Sequence, residues 1–284
     1  MTPEIGLLAQ SACLLEATAR KPGNVHRFRD FDDVTYLDFA LSAAAIGPAM
    51  DQASATPLGL TILRAVEATR RVVATNTNLG IILLLAPMAA VPVGQDLREG
   101  VARVLERTTV EDAVLTYRAI RLAMPGGLGS SSDQDVADDP TINLRDAMRL
   151  AADRDLVARL YALDFVDVFD RALPRLSGSI ARGWSIETSI IDAYLDFLAH
   201  HPDTLIARKR GEATAVETSR RAAQVLATGW PETSEGLQAI RDFDDWLRLD
   251  GHARNPGATA DLITAALFAA LRSGTIQLPV VGGL

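Results

Sequence analysis

Ile5-Gly6-Leu7-Leu8-Ala9-Gln10-Ser11-Ala12-Cys13-Leu14-Leu15-Glu16-Ala17-Thr18-Ala19 decides the fold class. Its apolar side chains recur at Ile5, Leu8, Ala9, Ala12, Leu15 and Ala19, the three-and-four spacing that lines one face of an α-helix. Phe39, Ala43, Ile46 and Met50 repeat the pattern. So do residues 60–74, 97–105, 111–124, 156–181, 186–200, 214–226, 237–247 and 259–271, while sustained period-two alternation is scarce. The spacing predicts an all-α protein, a single multi-helix bundle of ten or more helices. Aromatic residues make up only 5% of the chain, which favours close helix–helix packing over a β-sandwich.

The chain has 284 residues, 48% of them hydrophobic, enough for a sizeable core. One domain spanning residues 1–284 is expected, interrupted by a long loop near 125–140 that begins Pro125-Gly126-Gly127-Leu128-Gly129 and ends Asp138-Asp139-Pro140. A loop of that length inside a compact protein is usually a functional lid or a linker. Its glycines are not a dinucleotide fingerprint, because no strand precedes them and no helix follows at once. The net charge of −8 argues against nucleic-acid binding, which needs a basic face. Residues 81–93 are the longest apolar stretch but contain Pro87 and Pro92 and are too short for a bilayer, so a buried helix is expected and no membrane association. Cys13 is the only cysteine, and Met1-Thr2-Pro3-Glu4 shows no basic leader, which together point to a cytoplasmic protein. Zinc is not expected, since His200-His201 has no helical His or Glu partner at ligand spacing. The broad apolar helix surface makes a homodimer reasonable.

Four polar clusters interrupt the helical pattern. In the first, Glu16 precedes Arg20-Lys21-Pro22-Gly23-Asn24-Val25-His26-Arg27, a sharp turn where Gly23 would let the backbone approach a ligand. The basic residues could equally complement a helix C-terminus. The second, Thr75-Asn76-Thr77-Asn78-Leu79-Gly80, can cap the buried helix that follows and aim its N–H groups at an anion. In the third, Asp203 could cap a helix presenting Arg208, Lys209 and Arg210, a set suited to a metal-bridged polyphosphate or simply to a solvated face. The fourth, Asn255-Pro256-Gly257-Ala258-Thr259-Ala260-Asp261-Leu262, is a Pro-Gly turn into a helix with Asp261 in its first turn.

In this order the clusters resemble the triphosphoribosyl-dephospho-CoA synthase family: a Glu upstream of Lys-Pro-Gly-x-Val, then Asn-Thr-x-x-Gly, Asp-Thr with a following Arg and Gly, and Asn-Pro-Gly-x-Thr-Ala-Asp-Leu. The resemblance runs from Glu16 to Leu271. Asn78, His26, Leu205 and Lys209-Arg210 depart from the pattern, as a separate branch would. The resemblance implies an enzyme, a transferase in which a ribose hydroxyl of dephospho-CoA attacks C1′ of the ATP ribose, adenine leaves, and the triphosphate stays on the transferred sugar. It implies Mg²⁺, with Asp203 and Asp261 as its carboxylates, directly or through water. Lys21, Arg208 and Lys209 would be phosphate cations, and Glu16 the base or oxocarbenium stabiliser. Asn76, Asn78 and Asn255 would orient sugar or base, and Gly23, His26, Thr77 and Thr259 complete the binding set. The 125–140 loop would exclude water. The alternatives are a different acceptor from one-carbon cofactor biosynthesis of the tetrahydromethanopterin type, a nucleotide N-glycosidase, and a non-catalytic helical scaffold.

Overall fold

In the computed structural model, which describes residues 4–124 and 134–279, the three-and-four spacing is realised as fourteen α-helices, with no strand among the described residues. The chain groups into two compact units, one comprising Met1–Leu14 and Leu37–Asp167, the other Leu15–Tyr36 and Val168–Leu284.

The first unit holds most of α1 (Ile5–Thr18), then α2 (Tyr36–Asp51), α3 (Leu58–Arg70), α4 (Leu79–Ala89), α5 (Leu97–Glu106), α6 (Val110–Ala123), α7 (Leu144–Arg149) and α8 (Leu156–Ala162). The apolar run becomes α4, buried along its whole length apart from Gly80, as its lack of a polar face requires. Tyr161 donates its hydroxyl to the Leu83 carbonyl of α4 at 2.7 Å, so a fully buried phenol is satisfied. The most extensive helix pair is α3 with α6. Thr109 and Asp112 form a capping box that starts α6. The other oxygen of Asp112 accepts the Gly59 N–H at 2.8 Å, so the first turns of α3 and α6 lie side by side and the helices run parallel. Gly59 is required there, because a Cβ would sit 2.5 Å from the Asp112 carbonyl oxygen.

The second unit holds the end of α1, a π-helical segment Val168–Ala172, and α9 (Leu173–Ala181), α10 (Ile186–His200), α11 (Thr204–Arg210), α12 (Glu212–Ala227), α13 (Ser234–Arg248) and α14 (Gly257–Arg272). Its core is α14, in which Leu262, Ile263, Ala265, Ala266, Leu267 and Phe268 are all fully buried. Thr233 caps α13 through the Gly236 N–H at 2.9 Å. Beneath α9, Arg175 makes a two-pronged ion pair with the buried Asp192 at 2.6 and 2.7 Å, and Ser179 donates to the same carboxylate at 2.6 Å.

The helix expected over 156–181 is not continuous. It stops at Ala162, Asp164 and Phe165 turn left-handed (φ 51° and 61°), and the chain re-enters helix through the π segment. Phe165 is fully buried, with its ring 5.8 Å from that of Tyr161, and Asp164 takes an ion pair from Arg145 at 2.5 Å. Tertiary packing and charge thus hold two non-glycine residues in a conformation that periodicity does not register. The short α7 was also not expected. Of the expected long loop, residues 125–133 lie outside the described residues. Residues 134–140 are tied to α6, where Tyr117 donates to the Gln134 carbonyl at 2.9 Å and Arg121 reaches Val136 O at 2.8 Å and Asp139 Oδ1 at 2.9 Å. None of the described helices is long and apolar enough to cross a membrane.

Replacing Gly59 with Ala pushes a methyl group into the Asp112 backbone and should cost about 1–3 kcal/mol of unfolding free energy, the usual range for an overpacked contact. Urea denaturation of the variant checks this; an unchanged midpoint would show that α3 and α6 can separate freely.

Candidate functional site

The Pro-Gly turn after α1 is built around a buried cation. Lys21 is fully buried, and its ammonium donates to the Glu16 and Ala19 carbonyls and pairs with Glu16 Oε1 at 2.9 Å. A lysine has three N–H donors, and these three acceptors use them all. Two are backbone carbonyls at and just past the C-terminal end of α1, the negative end of the helix dipole, where a cation is favoured. Tyr194 of α10, also fully buried, donates to the Pro22 carbonyl at 2.8 Å. Gly23 has φ 76°, and its N–H donates to Asp244 Oδ1 of α13 at 2.7 Å. A Cβ on Gly23 would lie 2.8 Å from Leu247 Cδ1 and 3.1 Å from Pro256 Cδ, so both conformation and space demand glycine. Asn24 donates to Asn255 Oδ1 at 2.5 Å, joining the first cluster to the fourth, and Arg248 donates to the Asn24 carbonyl.

The third and fourth clusters meet at Asp203. One carboxylate oxygen caps α11 through the N–H groups of Leu205 (2.9 Å) and Ile206 (3.1 Å). The other accepts the N–H and the hydroxyl of Thr259, both at 2.8 Å, at the start of α14. Burial pushes the Asp203 carboxyl above its ordinary range, and the Thr259 and α11 hydrogen bonds recover part of that cost. Its four acceptor positions are therefore filled by protein donors.

Around this framework the charges are arranged in pairs. Glu187, in the first turn of α10, binds Arg20 at 3.0 Å and Arg27 at 3.2 Å. Burial works against its ionised form, but the hydrogen bonds and charges of Arg20 and Arg27 outweigh it and hold the carboxyl below its usual value. His26 accepts the Phe28 N–H at Nδ1 (3.3 Å), which fixes a neutral ring protonated at Nε2. Burial, with the cations Arg248, Lys21 and Arg20 nearby, lowers its pKa to about 4 despite the opposing Asp244. Lys209 stands 3.4 Å from His252 Nδ1, and His252 Nε2 lies 3.1 Å from Asp33. Burial and the neighbouring Arg208 lower the Lys209 pKa.

Glu16, Lys21, Gly23, His26, Asp203, Arg208, Lys209, Asn255, Thr259 and Asp261 all belong to the second unit; Asp261 is half-buried and, because α14 starts at Gly257, lies just past the first turn in which the sequence placed it. Asn76, Thr77 and Asn78 belong to the first unit. There the capping is done by Asn76, which accepts the Leu79 N–H at 3.2 Å, whereas Asn78, at the cap position itself, donates to Thr69 Oγ1 at 3.1 Å. Thr77 shares a 2.6 Å hydrogen bond with Ser42. Two placements differ from expectation. Lys21 is enclosed and has no N–H left for a phosphate, and Asp203 has no lone pair left for a metal ion. Among the described residues no three His, Cys, Asp or Glu side chains gather as a metal site. The donor set therefore does not fit a magnesium ion held by the protein alone. Asp244, Arg248, Tyr194 and Glu187 carry much of the geometry and were not legible as site residues. Each lies in an ordinary amphipathic helix, and only the fold brings it to the turn.

Asp203→Ala leaves the Thr259 pair and the α11 cap without an acceptor and should lower stability by about 2–4 kcal/mol, combining a lost cap with a buried unsatisfied donor. Because His26 is depressed to about 4 in the folded protein and the unfolded ring titrates near 6.5, the unfolded state binds more protons between those values. Unfolding free energy should thus fall as pH drops from 6.5 towards 4, and His26→Gln should flatten that slope. An NMR titration placing His26 above pH 6 would contradict the arrangement.

The description of the family ATP:dephospho-CoA triphosphoribosyl transferase (CitG) matches residues 2–279. Over 98 residues the chain is 34% identical to 2-(5''-triphosphoribosyl)-3'-dephosphocoenzyme-A synthase of Klebsiella pneumoniae, covering 34% of each protein. Over 104 residues it is 35% identical to a provisionally assigned enzyme of the same name from Pseudomonas putida, covering 37% of this chain and 36% of that one. These alignments thus span about a third of the curated relatives' length. The crystal structure of a provisionally assigned triphosphoribosyl-dephospho-CoA synthase from Archaeoglobus fulgidus superposes with a TM-score of 0.63 at 24% identity, over 82% of this chain and 98% of that one, and so shares its fold. With a match over nearly its whole length, the chain belongs to the ATP:dephospho-CoA triphosphoribosyl transferase family.

Proposed function

We propose that the protein transfers the 5-triphosphoribosyl group of ATP to a ribose hydroxyl of 3'-dephospho-CoA and releases adenine. The observation that carries this reading is the joining of three sequence-distant family motifs within one unit, through Asn24 to Asn255 and Asp203 to Thr259. Such a geometry serves a transferase, where sugar, leaving base and acceptor must be held in line.

The C–N bond at C1′ breaks as the acceptor oxygen bonds to the same carbon. The hydroxyl loses its proton and the departing ring nitrogen gains one, so adenine leaves neutral, and positive charge builds on the sugar in between. The carboxylate of Glu16 supplies the negative charge this transition state requires. One of its oxygens is fixed by Lys21, while Oε2 takes no hydrogen bond among the described residues. Lys21 and Asp203 act as positioning residues for Glu16 and for the first turn of α14. Arg208 and Lys209 meet the triphosphate, and Asp261 and Asn255 meet the nucleotide at the start of α14. Magnesium would be carried in by ATP, because this ion usually keeps several waters and is bound largely through substrate phosphates. Its chemistry is to neutralise the triphosphate.

Incubation with ATP, Mg²⁺ and dephospho-CoA should release adenine in step with a triphosphoribosyl adduct of dephospho-CoA, followed by chromatography and mass spectrometry. Adenine with free ribose triphosphate would make the protein a hydrolase, and no adenine would remove dephospho-CoA as the acceptor. Glu16→Gln should slow the reaction by about 10²–10⁴-fold, the usual weight of a positioned carboxyl acting on a proton or developing charge, with helix content retained.

A further inference from the structure

At the shared end of α3 and α6, Arg70, Arg71, Arg118 and Arg121 line a concave recess of about 510 Å³ with Glu67 and Leu122. The concentration is unusual in a chain with net charge −8. It follows from the fold. Because the two helices run parallel from the Gly59–Asp112 contact, their C-terminal ends arrive together, one bringing Arg70 and the cap residue Arg71, the other Arg118 and Arg121. Two of the four already have local work. Arg70 donates to the Ala74 carbonyl, and Arg121 holds Val136, Asp138 and Asp139. The other two, Arg71 and Arg118, are exposed, and their guanidinium groups make no hydrogen bond or ion pair among the described residues.

Complementing two helix dipoles explains cations at these ends, but that effect is small and falls off within one turn. It does not explain gathering four guanidinium groups around one hollow lined by one carboxylate, Glu67, with Asp139 paired to Arg121 alone. Like charges at that spacing repel, and a bound anion removes the repulsion. The recess is the size of a small-molecule pocket rather than an extended groove. Guanidinium forks pair with phosphate oxygens two at a time, and several forks around one hollow suit a chain of phosphates better than a lone carboxylate.

We propose that this recess is a second anion site, which binds the diphosphate or triphosphate of a small molecule through Arg71 and Arg118, with Arg70 and Arg121 at its sides. It shares no residue with the motif clusters and does not depend on the transfer reaction assigned above.

The test uses the full chain with inorganic pyrophosphate in EDTA, so that no metal bridges the probe elsewhere. Phenylglyoxal should modify Arg71 and Arg118, read by peptide mass spectrometry, and pyrophosphate should protect those two while leaving the exposed Arg182 and Arg241 of the second unit unprotected. Calorimetry at low salt should show binding that weakens as salt rises and falls by about tenfold or more in Arg71→Gln/Arg118→Gln, roughly 1.4 kcal/mol or greater. Unprotected Arg71 and Arg118 would overturn the proposal whether or not the variant folds. So would protection by poly-aspartate but not by pyrophosphate, which would make the recess a docking point for an acidic protein. Equal pyrophosphate affinity in the wild type and the double variant would place the anion elsewhere.

Discussion

A lysine ammonium sealed inside a protein must find its partners within the fold, and Lys21 finds all three in the last turns of the helix that precedes it. Removing a cation from water is expensive, and the cost is recovered only when every donor is matched and a countercharge is close. Glu16 is that countercharge, and the end-of-helix carbonyls are the remaining acceptors. The direction in which the chain leaves α1 is therefore set by electrostatics. The Pro22-Gly23 turn, the Tyr194 hydroxyl and the Asp244 carboxylate then fix where Asn24 and His26 lie.

Asp203 solves the same problem with the opposite sign. A buried carboxylate needs donors, and the free N–H groups at the starts of α11 and α14 supply three of its four, with the Thr259 hydroxyl as the last. One residue thus aligns two helix N-termini, and with them Arg208, Lys209 and Asp261. In both cases the most buried charged residue of a motif holds the groups around it, and under the proposed reaction the more exposed ones are those left to meet substrate. This division changes how the motif is read, because Lys21 and Asp203 act through what they hold.

The helical class was readable because three-and-four spacing survives in nearly every segment, and 186–200 matches α10 to the residue. The failure at 156–181 has a local cause. Asp164 and Phe165 reverse the backbone while Phe165 remains an apolar residue at a permitted phase, so periodicity cannot see the break. At the site, Asp203 as a helix cap and the special turn at Gly23 were legible from residue type alone. The enclosure of Lys21 was not, since a lysine beside Pro-Gly at a helix end reads as a solvent-facing cation. Nor were Asp244, Arg248 and Glu187, whose importance comes from partners more than 150 residues away in sequence.

The central claim is that the Glu16–Lys21 pair is a buried, mutually dependent unit. A double-mutant cycle of unfolding free energies, with Lys21→Met, Glu16→Gln and the two combined, tests it most directly. Lys21→Met alone should cost about 3–5 kcal/mol, because it leaves an uncompensated buried carboxylate, and adding Glu16→Gln should recover a substantial part of that loss. Strictly additive effects would contradict the account, for they would mean that the two charges do not depend on each other and that something else holds the turn.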